Sequence, residues 1–114
     1  MNHLFCLCSL LKKINISNFN TDKVTDMSSM FNNCKSLTKI NLSNFNTTNV
    51  VYMNYMLNDC SSLKELNLSN FNMDNVTEMK YIISECRNLK KLNIPNFYLE
   101  NVSQIKKMFY NCSS

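Results

Sequence analysis

Polar and apolar residues alternate along LTKINL (37–42), where Ile40 and Leu42 share one face and Asn41 takes the other. That alternation predicts a short strand. From Val50 the apolar residues fall at Val50, Met53, Met56, Leu57 and Cys60, a three-and-four spacing that predicts a short helix. Asn49 stands where an N-cap would, as do Asn75 and Asn101 in later copies. Glu78 lies three residues past Asn75, as the second member of a capping pair would.

The pattern recurs every 26 residues: NISNF at 15–19, NLSNF at 41–45 and 67–71, and NIPNF at 93–97. Written in rows of that length, the chain lines up cysteines (Cys8, Cys34, Cys60, Cys86, Cys112), leucines (Leu11, Leu37, Leu63, Leu89) and phenylalanines (Phe19, Phe45, Phe71, Phe97). Valines do the same (Val24, Val50, Val76, Val102), followed by Met27, Met53, Met79 and Ile105, then by Met30, Met56, Ile82 and Met108. Such a period is the mark of stacked units, none of which can bury its own apolar face alone. The fold expected is an α/β repeat solenoid: a right-handed, leucine-rich-repeat-like coil with a parallel sheet on one face and short helices on the other. Its strands are centred on Asn15, Asn41, Asn67 and Asn93, and the hand follows the rule for parallel crossovers. At the strand exits Asn18, Asn44, Asn70 and Asn96 are expected to satisfy backbone groups.

Composition adds one constraint. The chain has no Gly, no Ala, no Trp and one Pro, but 21 Asn, so its turns must be made on Asn, the best non-glycine residue for left-handed backbone. The lack of glycine argues against a phosphate-cradling loop. At 114 residues and 45% apolar, residues 1–114 read as one array of about four repeats. Leu4, Phe5, Cys8 and Leu11 fall in the columns of Met30, Phe31, Cys34 and Leu37, so the array is expected to carry partial repeats at both ends and to be a slice of a longer one. Uncapped ends of that kind imply self-association. No apolar run reaches the ~18 residues a membrane span needs.

The segment CKSLTKINLSNFNTTNVVYMNYMLNDC (34–60) resembles the repeat of BspA-like leucine-rich repeat surface proteins, roughly C-x-S-L-x-x-L-x-L-S-x-F-x-T-x-x-V-x-x-M-x-x-M-F-x-x-C. The likeness extends over essentially the whole chain, with Pro95, Ile82, Ile83 and Ile105 as mild departures. It implies a parallel-stranded solenoid on bacterial or protist surfaces, acting in adhesion or protein binding, with no catalytic residues to carry over. It also implies a cell-surface or secreted location. MNHLFCLCSLLKK has neither the basic flank nor the cleavage site of a signal peptide, nor a small residue before Cys6 or Cys8 as a lipoprotein signal would have; this leaves a cytoplasmic location open.

Candidate chemistry is sparse. One His and no paired carboxylates leave no acid–base or nucleophile–base constellation, so an enzyme is not expected. Cysteines 26 apart fit no usual zinc pattern, no metal or cofactor is expected, and the cysteine ladder reads as buried small thiols. The sequons at Asn15, Asn41, Asn67 and Asn75 follow from the strand motif itself.

Charge is distributed unevenly. Lys12, Lys13, Lys39, Lys64, Lys90 and Lys91 lie on or just before the strands with only Glu65 against them, while Asp22, Asp26, Asp59, Asp74, Glu78, Glu85 and Glu100 lie elsewhere in the repeat. Lysines on exposed strands also discourage unwanted pairing. The candidate binding face is therefore Lys13, Asn15, Ser17, Lys39, Asn41, Ser43, Lys64, Asn67, Ser69, Lys90, Lys91 and Asn93. A protein or an anionic surface ligand is the expected partner; nucleic acid is not, because the lysines lack arginines and interleaved aromatics. The competing expectation is an intracellular scaffold or a truncated, non-functional array fragment.

Overall fold

The computed structural model describes residues 1–95 and 108–112. The expectations for Asn96, Phe97, Glu100, Asn101, Val102 and Ile105 lie outside the described residues.

Of the four strands expected, two form among the described residues, each three residues long and ending on the Asn that was expected at its centre. Strands β1 (Glu65–Asn67) and β2 (Lys91–Asn93) pair in parallel, with Glu65 opposite Lys91, Leu66 opposite Leu92 and Asn67 opposite Asn93. In the first two units the same position makes a single parallel bridge, Lys13 to Lys39. The Asn that ends β1, and its counterparts in the first two units, turn the chain away. The Asn15, Asn41 and Asn67 Oδ1 atoms accept the backbone N–H of Ser17, Ser43 and Ser69 at 3.0–3.1 Å, turning the chain two residues on.

The helices do not form, and the expected α/β solenoid of sheet and helix layers is overturned. Among the described residues the only regular elements are two three-residue strands, in a body with extents of 33 × 30 × 21 Å. Val50, Met53, Met56, Leu57 and Cys60 are all fully buried, as a helix face would bury them. The backbone reaches that result by another path. Tyr55 and Asp59 take φ of 58° and 55°, and the same left-handed conformation recurs at Ser29 and Asn33 and at Tyr81 and Glu85. A left-handed residue every fourth position breaks the i→i−4 ladder that an α-helix needs.

The amide N–H groups instead cross to the next unit. Met53, Tyr55, Leu57 and Asp59 donate to the carbonyls of Glu78, Lys80, Ile82 and Ser84 at 2.8–2.9 Å. Met27, Ser29, Phe31 and Asn33 donate in the same way to Tyr52, Asn54, Met56 and Asn58. Asn49 and Asn75, expected as helix caps, send their Nδ2 to the carbonyls of Asp22 and Thr48 in the preceding unit. Alternate amides of this segment therefore bond to the next unit, while Met30, Asn32, Met56 and Asn58 close three-residue turns within their own. The left-handed residues cost roughly 1–2 kcal/mol apiece, and the bonds that they direct between units offset this.

Side chains complete the junctions. Asn44 Nδ2 lies 3.0–3.2 Å from the carbonyls of Ile16, Ser17 and Phe19, and Asn70 Nδ2 lies 3.1–3.4 Å from those of Leu42, Ser43 and Phe45. These two asparagines satisfy the strand-exit backbone as expected. Buried Thr21 and Thr47 each donate Oγ1 to a carbonyl of the next unit (Asn46, Asn72) and accept the N–H of that same residue. Met73 takes the third place in the column and contributes apolar contact instead. Inside, one continuous cluster runs from Ile16 to Leu89 and includes Met108. Within it the thiols of Cys34, Cys60 and Cys86 donate to the carbonyls of Phe5, Phe31 and Leu57 at 3.2–3.3 Å. All three cysteines are buried and free. The thiol is a second donor to the Phe5 and Phe31 carbonyls, which already accept the N–H of Cys8 and Cys34.

Candidate functional site

All twelve residues of the candidate face are exposed. Pairing sets Lys13 beside Lys39, Glu65 beside Lys91 and Asn67 beside Asn93, with paired segments about 5 Å apart. The outer parts of the units enclose a shallow depression of about 260 Å³, lined by Lys39, Ile40, Asn41, Glu65, Leu66, Asn67, Lys91 and Asn93. Lys64 borders a neighbouring hollow with Thr38, Lys39 and Glu65. The structure therefore gathers Lys39, Asn41, Lys64, Asn67, Lys91 and Asn93. Lys13, Asn15, Ser17, Ser43, Ser69 and Lys90 are exposed but do not line these two hollows.

The chemistry of the face is mostly that of a donor. Asn41 and Asn67 commit Oδ1 to their own turns, so the group each offers outward is its amide nitrogen. Lysine offers donors alone. Glu65 is the exception: it lies directly across from Lys91 and shares the depression with Lys39. It was readable only as the single acid in the lysine column.

Away from this face, acids and bases pair more closely. Lys35 Nζ lies 3.2 Å from Asp59 Oδ2, and Arg87 lies 2.9 Å from Glu85 Oε2. The Arg87 hydrogen bond holds the Glu85 carboxyl below its ordinary range. The three buried thiols are held protonated: burial, then the neighbouring Cys8, pushes Cys34 up to about 11 from an ordinary 9.0. Burial and then Cys34 raise Cys60 in turn, whereas Cys86 is raised first by its hydrogen bond to Cys112 and then by burial. At neutral pH these thiols stay protonated, which is the form that hydrogen-bonds the carbonyls.

A second surface feature escaped the sequence reading. Tyr55 and Tyr81 stack with ring centroids 5.1 Å apart and planes 10° from parallel. They are 26 residues apart, so the period could have pointed to the pair, but tyrosine there was one polar-to-aromatic variation among many.

Fold and face together define a repeat protein in which polar ladders and backbone bonds join each 26-residue unit to the next, leaving a lysine- and asparagine-bearing column outside. The family model described as "Mycoplasma protein of unknown function, DUF285" matches residues 1–114, and the chain belongs to that family. No curated protein and no solved structure matches it. No helix among the described residues is long and apolar enough to cross a membrane.

Proposed function

We propose that this chain is a non-enzymatic binding module whose strand face engages an extended anionic partner at a cell surface. The observation that carries the reading is the set of exposed donors, Lys39 and Lys91 with the Asn41 and Asn67 amides around one depression and Lys64 at the hollow beside it. Repetition lets one long partner meet several weak contacts at once, and their effects multiply. A small metabolite fits less well, because the depression is shallow and its exposed side chains are chiefly polar. Buried Cys34, Cys60 and Cys86 hold their protons and face carbonyls in the core, which makes them inert as nucleophiles; only Cys112, lowered to about 7 by its hydrogen bond to Cys86, is shifted the other way. The resemblance of residues 34–60 to BspA-like repeats supports an adhesive role and a surface location.

The test replaces Lys39, Lys64, Lys90 and Lys91 by Ser and measures adhesion to host-cell and matrix preparations over a salt series. Wild-type binding should weaken as salt shortens the Debye length from about 10 Å towards 3 Å, and the fourfold variant should lose about tenfold or more at low salt. Binding indifferent to both salt and the substitutions would put the contact surface elsewhere.

A further inference from the structure

Charges alternate across the strand-face depression. Lys39, Glu65 and Lys91 hold equivalent positions in three successive units and line the same depression, so it presents plus, minus, plus along the stacking direction. Neighbouring units stand ~5 Å apart there, which puts the two lysines about 10 Å apart with the carboxylate between them. Glu65 lies directly opposite Lys91 in the paired strands, yet the ion pairs among the described residues are Lys35–Asp59 and Arg87–Glu85. All three charged side chains are exposed and open to a ligand. Two residues beyond each stands an asparagine on the same depression, Asn41, Asn67 or Asn93. The first two spend Oδ1 on their own turns and offer Nδ2 outward.

That order disfavours a uniformly charged chain, since an anion set over Glu65 meets a like charge. It suits a chain whose charge skips every second position. An extended acidic peptide keeps poor step with it. Side chains on one face of a strand repeat every ~6.8 Å, two residues of ~3.4 Å, and fall out of register with ~5 Å units within two steps. A β-linked pyranose chain advances per sugar by roughly the spacing of one unit, ~5 Å. An alternating polymer of uronic acid and N-acetylhexosamine thus lays one sugar on each unit. Its carboxylates meet Lys39 and Lys91, and the neutral sugar between them gives hydroxyl hydrogens to Glu65. The asparagine amides donate to ring and acetamido oxygens. Lys13, one unit before Lys39, faces a neutral sugar in that register and does not line the depression.

We propose that the strand face takes a linear glycan with one carboxylate per disaccharide, its anions on Lys39 and Lys91 and an uncharged sugar on Glu65; this rests on the strand-face function proposed above. Calorimetric titration at about 150 mM salt with three probes tests it: a hyaluronan octasaccharide, a heparin octasaccharide and octaglutamate. The hyaluronan probe should bind with a Kd below about 1 mM, and about fivefold or more tighter than either of the others. Glu65→Lys should reverse the preference in favour of heparin, and Glu65→Gln should narrow it to about twofold. Lys39→Ser and Lys91→Ser should each weaken hyaluronan binding about fivefold or more, whereas Lys13→Ser should hold it within about twofold. Heparin or octaglutamate binding as tightly as hyaluronan, and weakened by Lys39→Ser and Lys91→Ser, overturns the glycan assignment and leaves the strand face in place. Binding of none of the three, or binding indifferent to both lysine substitutions, overturns the strand-face function as well. If Glu65→Lys does not fold, the wild-type preference and its narrowing in Glu65→Gln decide.

Discussion

Replacing Asn70 by Asp should destabilise the protein by about 3 kcal/mol or more at neutral pH, although the two side chains are nearly the same shape. Asn70 Nδ2 lies within 3.4 Å of three carbonyl oxygens of the preceding unit, those of Leu42, Ser43 and Phe45. The substitution exchanges an amide donor for a carboxylate oxygen that must face those acceptors without a proton. Ala at the same position should cost less, about 1–2 kcal/mol, because it removes the fork, leaving the Leu42 carbonyl with the Phe45 N–H, but does not repel the carbonyls. Acid should partly rescue the Asp variant. Its carboxyl, raised in pKa by the carbonyls, binds a proton more readily when folded, so the deficit shrinks as pH falls through that raised pKa. Urea denaturation of both variants at two pH values checks this. An Asp variant as stable as the wild type would mean that the fork is not a structural bond.

Alkali should unfold the protein through its core. Cys34 is raised from 9.0 to about 11, with burial the largest cause. A group whose folded pKa is raised contributes stability that is whole below the unfolded value and is lost as pH rises through the folded one. The loss therefore begins near pH 9 and grows to about pH 11, and two pKa units correspond to about 2.7 kcal/mol from Cys34 alone. Cys60 and Cys86 are raised as well and add to it. The informative comparison is with Cys34→Ala. That variant should be less stable at pH 7, by about 1–2 kcal/mol for the lost thiol bond and contacts. It should also have a shallower decline from pH 9 to 11. Equal slopes would show that the thiol does not stay protonated in the folded state.

The columns of the sequence told which residues are inside. Ile40, Leu42, Phe45, Val50, Met53, Met56, Leu57 and Cys60 were all readable as core from the period, and all are buried. The exposed lysines and the asparagine fork were readable for the same reason: a repeated position in a stacked unit faces the same way each time. The helices were misread because burial spacing does not identify the backbone that produces it. A left-handed residue at Tyr55 and again at Asp59 turns Met53, Met56, Leu57 and Cys60 inward at nearly the spacing of a helix. A hint lay in Asn33, Asp59 and Asn111, residues tolerant of positive φ that share one column with Leu7 and Glu85 in a chain without glycine. Tyr55 and Tyr81 obscured it, because bulky residues seldom occupy that conformation. The strand lengths were overestimated because Asn67 was read as a strand centre, whereas its side chain starts the turn that ends β1.

The central claim is that the turn-face amides bond between units rather than along a helix. Scalar couplings across hydrogen bonds, measured by NMR between amide nitrogen and carbonyl carbon, test it bond by bond. The Leu57 nitrogen should couple to the Ile82 carbonyl and the Asp59 nitrogen to that of Ser84. Coupling of Leu57 to the carbonyl of Met53, four residues back, would restore the helix and contradict the account.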